Sequence, residues 1–316
     1  MTNVHQAQAL YDTARKGFAV IPPLLCLPSF VIDAPFGRFA PSSDSIFLVD
    51  GIKAWIVMEL VSPLTFLYAF LRSPLSPVSA AGSAPPLTPA NPPTLLAALF
   101  LLHYLNRALV SPLRTPSRSK SHVLVPLCAV LFNTVNGSLI GAYLSSPAAR
   151  AFLAGAFGRP LFWLGVGVWA AGLVGNIVHD EILLDIRRKA RAKGKGKDKD
   201  SANGTQQDGG DGDNNNGKTK SRQEHYAVPH GLLYRYISYP NYFCEWMEWL
   251  GFALAAAPLP SLASSAAFLN TVSPPWLFFL SEVFLMLPRA WKGHKWYHSR
   301  FPDYPKERKA VVPFVF

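Results

Sequence analysis

The sequence predicts an all-α integral membrane protein: a seven-transmembrane helix bundle with the N-terminus lumenal and the C-terminus cytosolic. Three observations carry that prediction. Half of the 316 residues are hydrophobic and only 16% are charged, where a soluble domain carries roughly 25% charged residues. The charges cluster, leaving apolar runs near the ~20 residues that cross a bilayer. The basic residues fall in alternate loops, as the positive-inside rule requires. A mean hydropathy of +0.17 is modest for such a protein because one polar stretch, residues 189–224, lowers the average.

Seven segments read as spans: 10–32, 52–71, 93–110, 122–144, 160–184, 246–268 and 275–288. The first is expected to be broken by Pro22, Pro23 and Pro28, and follows a polar lead with Asp12 and Lys16, so it reads as a retained span and not a signal peptide. The last is short. With an odd number of spans, one side collects Arg114, Arg118 and Lys120, then Arg187, Arg188, Lys189 and Arg191, then the basic C-terminal tail from Arg289 to Lys309. That side is cytosolic. The excess of 30 basic over 19 acidic residues, net +11, thus suits topology and anionic headgroups, not nucleic acid. Residues 189–224, Gly/Lys-rich and then Asp/Asn-rich, cannot bury apolar surface and read as a disordered cytosolic insertion in a single membrane domain spanning 1–316. Cys26, Cys128 and Cys244 are too few and too dispersed for a disulfide framework or a zinc site.

Ionisable groups inside a span cost about 2.5–3.5 kcal/mol at mid-membrane and are functional candidates by default. The second span holds Glu59, the third His103, Tyr104, Asn106 and Arg107, and the fourth Asn133 and Asn136. Asn176 and Asp180 share one helix face, four residues apart, with Arg187 two turns on; Asn241 and Glu245 repeat the spacing before the sixth span. With Arg118 and Arg289 these make a polar cytosolic pocket. Guanidinium forks match phosphates, and amides with carboxylates match hydroxyls and carboxamides, which is the set a nucleotide cofactor needs. Helix-to-helix hydrogen bonding is the alternative for each Asn and His.

Two motifs fail their context. Gly165-Val166-Gly167-Val168-Trp169-Ala170 fits a dinucleotide fingerprint, but it lies inside an apolar span with no strand before it. It reads as helix packing through small residues. His294 and His298 have a metal-ligand spacing, but the remaining histidines supply no further ligand boxes, so no metal is expected.

The C-terminal region, 225–316, resembles the steroid 5α-reductases (3-oxo-5-alpha-steroid 4-dehydrogenases). The resemblance lies in Pro229-His230-Gly231-Leu232-Leu233-Tyr234, in Ser238-Tyr239-Pro240-Asn241-Tyr242 with Glu245, in Glu248-Trp249-Leu250-Gly251, and in Asp303-Tyr304-Pro305-Lys306 running on to Pro313-Phe314. Upstream, Pro35-Phe36-Gly37-Arg38, Glu59, His103-Tyr104 with Arg107, Asn136-Gly137 and Asn176 with Asp180 follow the family order. The resemblance implies an endoplasmic reticulum membrane enzyme, monomeric, that reduces the C4=C5 bond of a 3-oxo-Δ4 steroid or similar enone lipid with NADPH. It implies that Asn176, Asp180, Asn241, Glu245 and Tyr297 hold the nicotinamide half. Arg118, Arg187, Arg289 and Arg308 would meet phosphates, with Tyr226 and His294 completing the cofactor set. Glu59 and Tyr104 would polarise the carbonyl, Glu59 as a buried carboxyl that keeps its proton. Membrane methyltransferases of the isoprenylcysteine type, which use S-adenosylmethionine, are the alternative, through a faint echo at Tyr239-Pro240-Asn241-Tyr242.

Overall fold

Caps and prolines punctuate the helices. The computed structural model describes residues 4–39, 45–77, 85–203 and 226–316, without the side chains of 38 and 193–203. Helix α1 is Val4–Ser29. Asp50 opens α2 (Gly51–Arg72) by accepting the backbone N–H groups of Ile52 and Lys53 at 3.0 and 2.8 Å, the usual satisfaction of orphan donors at a helix start. Helix α3 (Pro92–Tyr104) runs into a π-helical turn, Leu105–Val110, and ends in the short α4 (Ser111–Arg114). Then come α5 (Leu124–Leu144), α6 (Pro147–Leu153), the long α7 (Pro160–Asn203), α8 (Pro240–Ala256), α9 (Ser265–Thr271) and α10 (Pro274–Arg300). Two short strands, β1 (Leu48–Val49) and β2 (Ser121–His122), pair antiparallel and tie the start of α2 to the start of α5.

Small residues set the closest helix contacts. On α5, Gly137 and Gly141 form a small-xxx-small pair. A Cβ at either would collide with the α2 backbone at Ser62 or Phe66. On α7, a Cβ at Gly165 would come within 2.7 Å of the Gly251 carbonyl of α8. That glycine belongs to helix packing, as its apolar context predicted. Aromatic rings then join the pairs: Phe66 of α2 stacks on Phe100 of α3 at 4.4 Å, Phe100 meets Trp249 of α8 at 5.8 Å, and Trp249 meets Phe278 of α10 at 4.4 Å. Each such pair contributes about 0.5–1.5 kcal/mol beyond its area.

The outer faces are apolar: Val57, Leu64 and Tyr68 of α2 and Leu161, Leu164 and Val174 of α7 are exposed. Exposed apolar bands of this kind suit lipid, not water. Among the described residues four helices are long and apolar enough to cross a membrane, Gly51–Arg72, Pro92–Arg114, Leu124–Leu144 and Pro160–Ala192, and five if the pair α9 and α10, bent by 118°, counts as one broken span. The chain is a helical membrane protein. Helices α1 and α8, expected to span, stand outside that set.

Several expected boundaries move. Pro22, Pro23 and Pro28 do not break α1, which runs unbroken to Ser29; prolines are tolerated inside membrane helices. Arg15 is buried on its inner face and donates to the carbonyls of Leu269 and Val272 at 2.7 and 2.9 Å, capping the end of α9. The segment expected at 246–268 starts earlier, at Pro240, and stops at Ala256 before Pro258 and Pro260. The last helix continues past 288 through Pro288 to Arg300. Helix α7 extends to Asn203, into the insertion expected to lack structure, and residues 204–225 lie outside the described residues. After α10 the tail folds back: Lys309 and Ala310 carbonyls accept from the N–H groups of Ser238 and Tyr239 at 2.9 and 3.1 Å.

Candidate active site

One row of polar side chains crosses the middle of the bundle. Glu59, buried on α2, accepts from Arg107 Nε at 3.2 Å. Arg107 Nη1 reaches Glu245 Oε1 of α8 at 2.7 Å. The other oxygen of Glu245 accepts from Asn176 Nδ2 at 3.3 Å, and the same amide donates to the Asn241 carbonyl at 3.1 Å. Asn241 Nδ2 in turn donates to Asp180 at 2.9 Å. The two amide–carboxylate pairs read from their spacing on α7 and α8 therefore face each other, and Arg118 and Arg187 lie near enough to act on the Asp180 charge.

The sequence reading left Arg107 without a role and Glu59 as a solitary carboxyl. The geometry corrects both, since Glu59 has a guanidinium partner. Trp55, four residues before Glu59, was also missed. Its Nε1 donates to the Arg107 carbonyl at 3.0 Å, and two guanidinium carbons lie over its ring, Arg107 at 5.1 Å and Arg118 at 3.7 Å. The i, i+4 spacing of Trp55 and Glu59 was the available signal.

Tyr104, buried at the end of α3, accepts from Asn136 Nδ2 at 3.3 Å. Asn136 Oδ1 is buried with no hydrogen-bond partner among the described residues. Behind them His103 Nδ1 pairs with Glu248 Oε1 at 2.8 Å.

A second cluster gathers the C-terminal candidates. Ser238 Oγ is 2.7 Å from His294 Nδ1 and 2.6 Å from the Tyr304 hydroxyl. Tyr297 stacks on Tyr304 at 5.1 Å, and Tyr226 meets Trp296 edge-on at 5.1 Å. Burial pushes the Tyr304 hydroxyl above its usual range, while Ser238 and Arg308 pull it back. Arg308 is only 4% exposed, with its Cζ 4.9 Å over the Tyr304 ring and Nη2 3.5 Å from His230 Nδ1. Its Nε and Nη1 are buried without a partner among the described residues. Buried guanidinium donors normally have acceptors, so this edge fits the phosphate of a nucleotide. Ser238, His230 and Tyr304 carry the cluster and were read only as family motif residues. Arg289 lies 3.7 Å over Phe36, which lines a small pocket with Trp55, Met58 and Arg118, and Lys292 pairs with Asp33 at 2.7 Å.

Comparison with known proteins identifies the family. The sequence model of 3-oxo-5-alpha-steroid 4-dehydrogenases matches residues 216–316. A rat 3-oxo-5-alpha-steroid 4-dehydrogenase 1 is 31% identical over 300 residues, 95% of this chain and 92% of the relative. A steroid 5-alpha-reductase of Solanum lycopersicum is 27% identical over 305 residues, 93% of each. An uncharacterized protein of Schizosaccharomyces pombe is 39% identical over 292 residues, 90% of this chain and 92% of the relative. These matches set aside the methyltransferase alternative. Similarity that runs from the helices bearing Glu59 and Arg107 to the Arg308 tail shows that the chain belongs to the 3-oxo-5-alpha-steroid 4-dehydrogenase family, the steroid 5α-reductases.

Proposed function

We propose that the protein reduces the C4=C5 double bond of a 3-oxo-Δ4 steroid, or a closely similar enone lipid, with NADPH. NADPH, when bound, supplies the hydride that adds to the β-carbon; a proton at the α-carbon completes the reduction. Asn176, Asp180, Asn241, Glu245 and Tyr297 hold the nicotinamide half. Arg118, Arg187, Arg289 and Arg308 meet the phosphates, with Tyr226 and His294 beside them. The protein works as a monomer of seven spans in the endoplasmic reticulum membrane, its N-terminus lumenal and the basic loops and tail cytosolic, so the cofactor arrives from the cytosol and the substrate from the bilayer.

Hydride addition drives negative charge onto the carbonyl oxygen, and a preorganised donor there lowers the barrier. Tyr104 is that donor: its oxygen accepts from Asn136, which holds the hydroxyl in place. Glu59 is the second group. One guanidinium faces both Glu59 and Glu245 and so holds Glu59 in place beside the carbonyl side of the site.

The supporting observation is the unbroken row from Glu59 through Arg107 to Glu245 and Asn176, which joins the proposed carbonyl and nicotinamide groups in one buried cluster. The test is reduction of a Δ4-3-ketosteroid by membranes holding the protein, with product followed by mass spectrometry. We expect turnover with NADPH well above that with NADH. Equal rates overturn the phosphate assignment, and no turnover across a panel of enones overturns the reaction.

A further inference from the structure

We propose that Arg107 is the positioning residue that fixes the carbonyl-binding side of the site relative to the hydride-donor side; this rests on the reductase reading above. Its backbone lies in the π-helical turn Leu105–Val110, where the Ser111 N–H reaches back five residues to the Asn106 carbonyl. Such single wide turns recur at functional sites. The turn is pinned by Trp55 Nε1, which takes the Arg107 carbonyl at 3.0 Å. With its backbone held, the guanidinium sends Nε to Glu59 of α2 and Nη1 to Glu245 of α8. These two carboxylates come from opposite ends of the sequence, and the planar fork sets the distance between them. It also sets the charge that both share. Lysine carries a single point charge on a flexible stem and cannot serve two carboxylates in fixed geometry, so the role calls for arginine. Arg107 acts through Glu59 and Glu245 and is not itself assigned to the substrate.

The experiment compares Arg107→Lys and Arg107→Gln, each alone and with Glu59→Gln, in the full-length protein in membranes. The readouts are kcat and KM with the steroid, and NADPH affinity by fluorescence. A misplacement of about 1 Å can cost on the order of 100-fold in rate. Arg107→Lys should therefore lower kcat by roughly 10- to 100-fold while NADPH affinity and steroid KM move by only a few fold. Adding Glu59→Gln should cost much less than the product of the two single losses, since both changes break one linkage. Wild-type kcat in Arg107→Lys overturns the proposal, as do fully multiplicative losses in the double variant. If Arg107→Gln fails to fold, Arg107→Lys, which keeps the charge, still decides. Failure of Arg107→Lys to fold would place the residue in the scaffold and also overturn the proposal. An inactive wild type overturns the reductase reading and this proposal with it. An active wild type with insensitive Arg107 variants overturns this proposal alone.

Discussion

The mid-bundle row and the C-terminal cluster handle polar atoms in opposite ways. In the row, side chains from four different helices satisfy one another: Glu59 by Arg107, Glu245 by Arg107 and Asn176, Asp180 by Asn241. Around Ser238, His294, Tyr297 and Tyr304 the rings and hydroxyls are paired too, but two buried donors of Arg308 have no partner among the described residues. The row is acid-rich around one shared guanidinium. The cluster is basic and aromatic. A network that closes on itself holds geometry, whereas one with spare buried donors waits for an anion. On the proposed reading the Glu59–Arg107 part of the row should control rate, its Glu245–Asn176 part should hold the nicotinamide, and the cluster should set affinity for the cofactor's phosphates.

The strongest way to break that division is at Tyr104 and Glu59. Tyr104→Phe removes the hydroxyl and keeps the ring that packs on Phe100 at 4.9 Å. Loss of one donor at a developing oxyanion costs about 10²–10³ in kcat, and single-turnover reduction should fall by that factor while NADPH binding is unchanged. Glu59→Ala should match it, and Glu59→Gln, which keeps a donor, should retain part of the rate. Near-wild-type turnover in both Tyr104→Phe and Glu59→Ala removes the row from the chemistry.

The next test runs the other way. Arg308→Met keeps an unbranched apolar stem and removes the guanidinium. A hydrogen bond to a charged group contributes roughly 1.5–3 kcal/mol, so the Kd for NADPH should rise by roughly 10- to 150-fold, with kcat at saturating cofactor within a few fold of wild type. NADH binding discriminates further. If NADH affinity is untouched, Arg308 meets the 2′-phosphate; if both weaken alike, it meets the pyrophosphate. Unchanged binding of both would mean that the buried donors of Arg308 have no phosphate to meet.

Much of this architecture was legible in the sequence, and the exceptions have physical causes. Helix α2 was read to within a residue at each end because an apolar run is bounded by Asp50 and by Arg72. Helical period put Asn176 with Asp180, and Asn241 with Glu245, each on one face of its own helix; the packing of α7 on α8 makes those faces meet. The start of α8 was misplaced because Asn241 and Glu245 looked too polar for a span, yet Pro240 is a favoured first helical residue and those side chains are paired across to α7 and α3. Arg107 stayed without a role because its partners lie 48 residues upstream and 138 downstream, and no local pattern connects positions 59, 107 and 245. The π-helical turn left no signature either, since Leu105–Val110 reads as ordinary helix in its hydrophobic period.

The smallest expected effect is at Ser238, and it bears on whether the two regions are separate. The Ser238 hydroxyl sits between His294 and Tyr304 at 2.7 and 2.6 Å, and the Tyr304 ring lies under Arg308 at 4.9 Å. Ser238→Ala leaves both partners in place but removes the group that fixes their orientation. A net intramolecular hydrogen bond contributes about 0.5–1.5 kcal/mol. If that support reaches the cofactor through Tyr304 and Arg308, NADPH affinity should fall by roughly 2- to 12-fold, well short of Arg308→Met. The partners of Ser238 are His294 and Tyr304, not the row, among the described residues, so kcat at saturating NADPH should stay close to wild type. Fluorescence titration with NADPH beside single-turnover reduction separates the two quantities. A larger loss in kcat than in affinity would mean that the tail segment holding Ser238, pinned through the Lys309 and Ala310 carbonyls, also sets the position of the row. The division between a rate-controlling row and an affinity-controlling cluster would then fail.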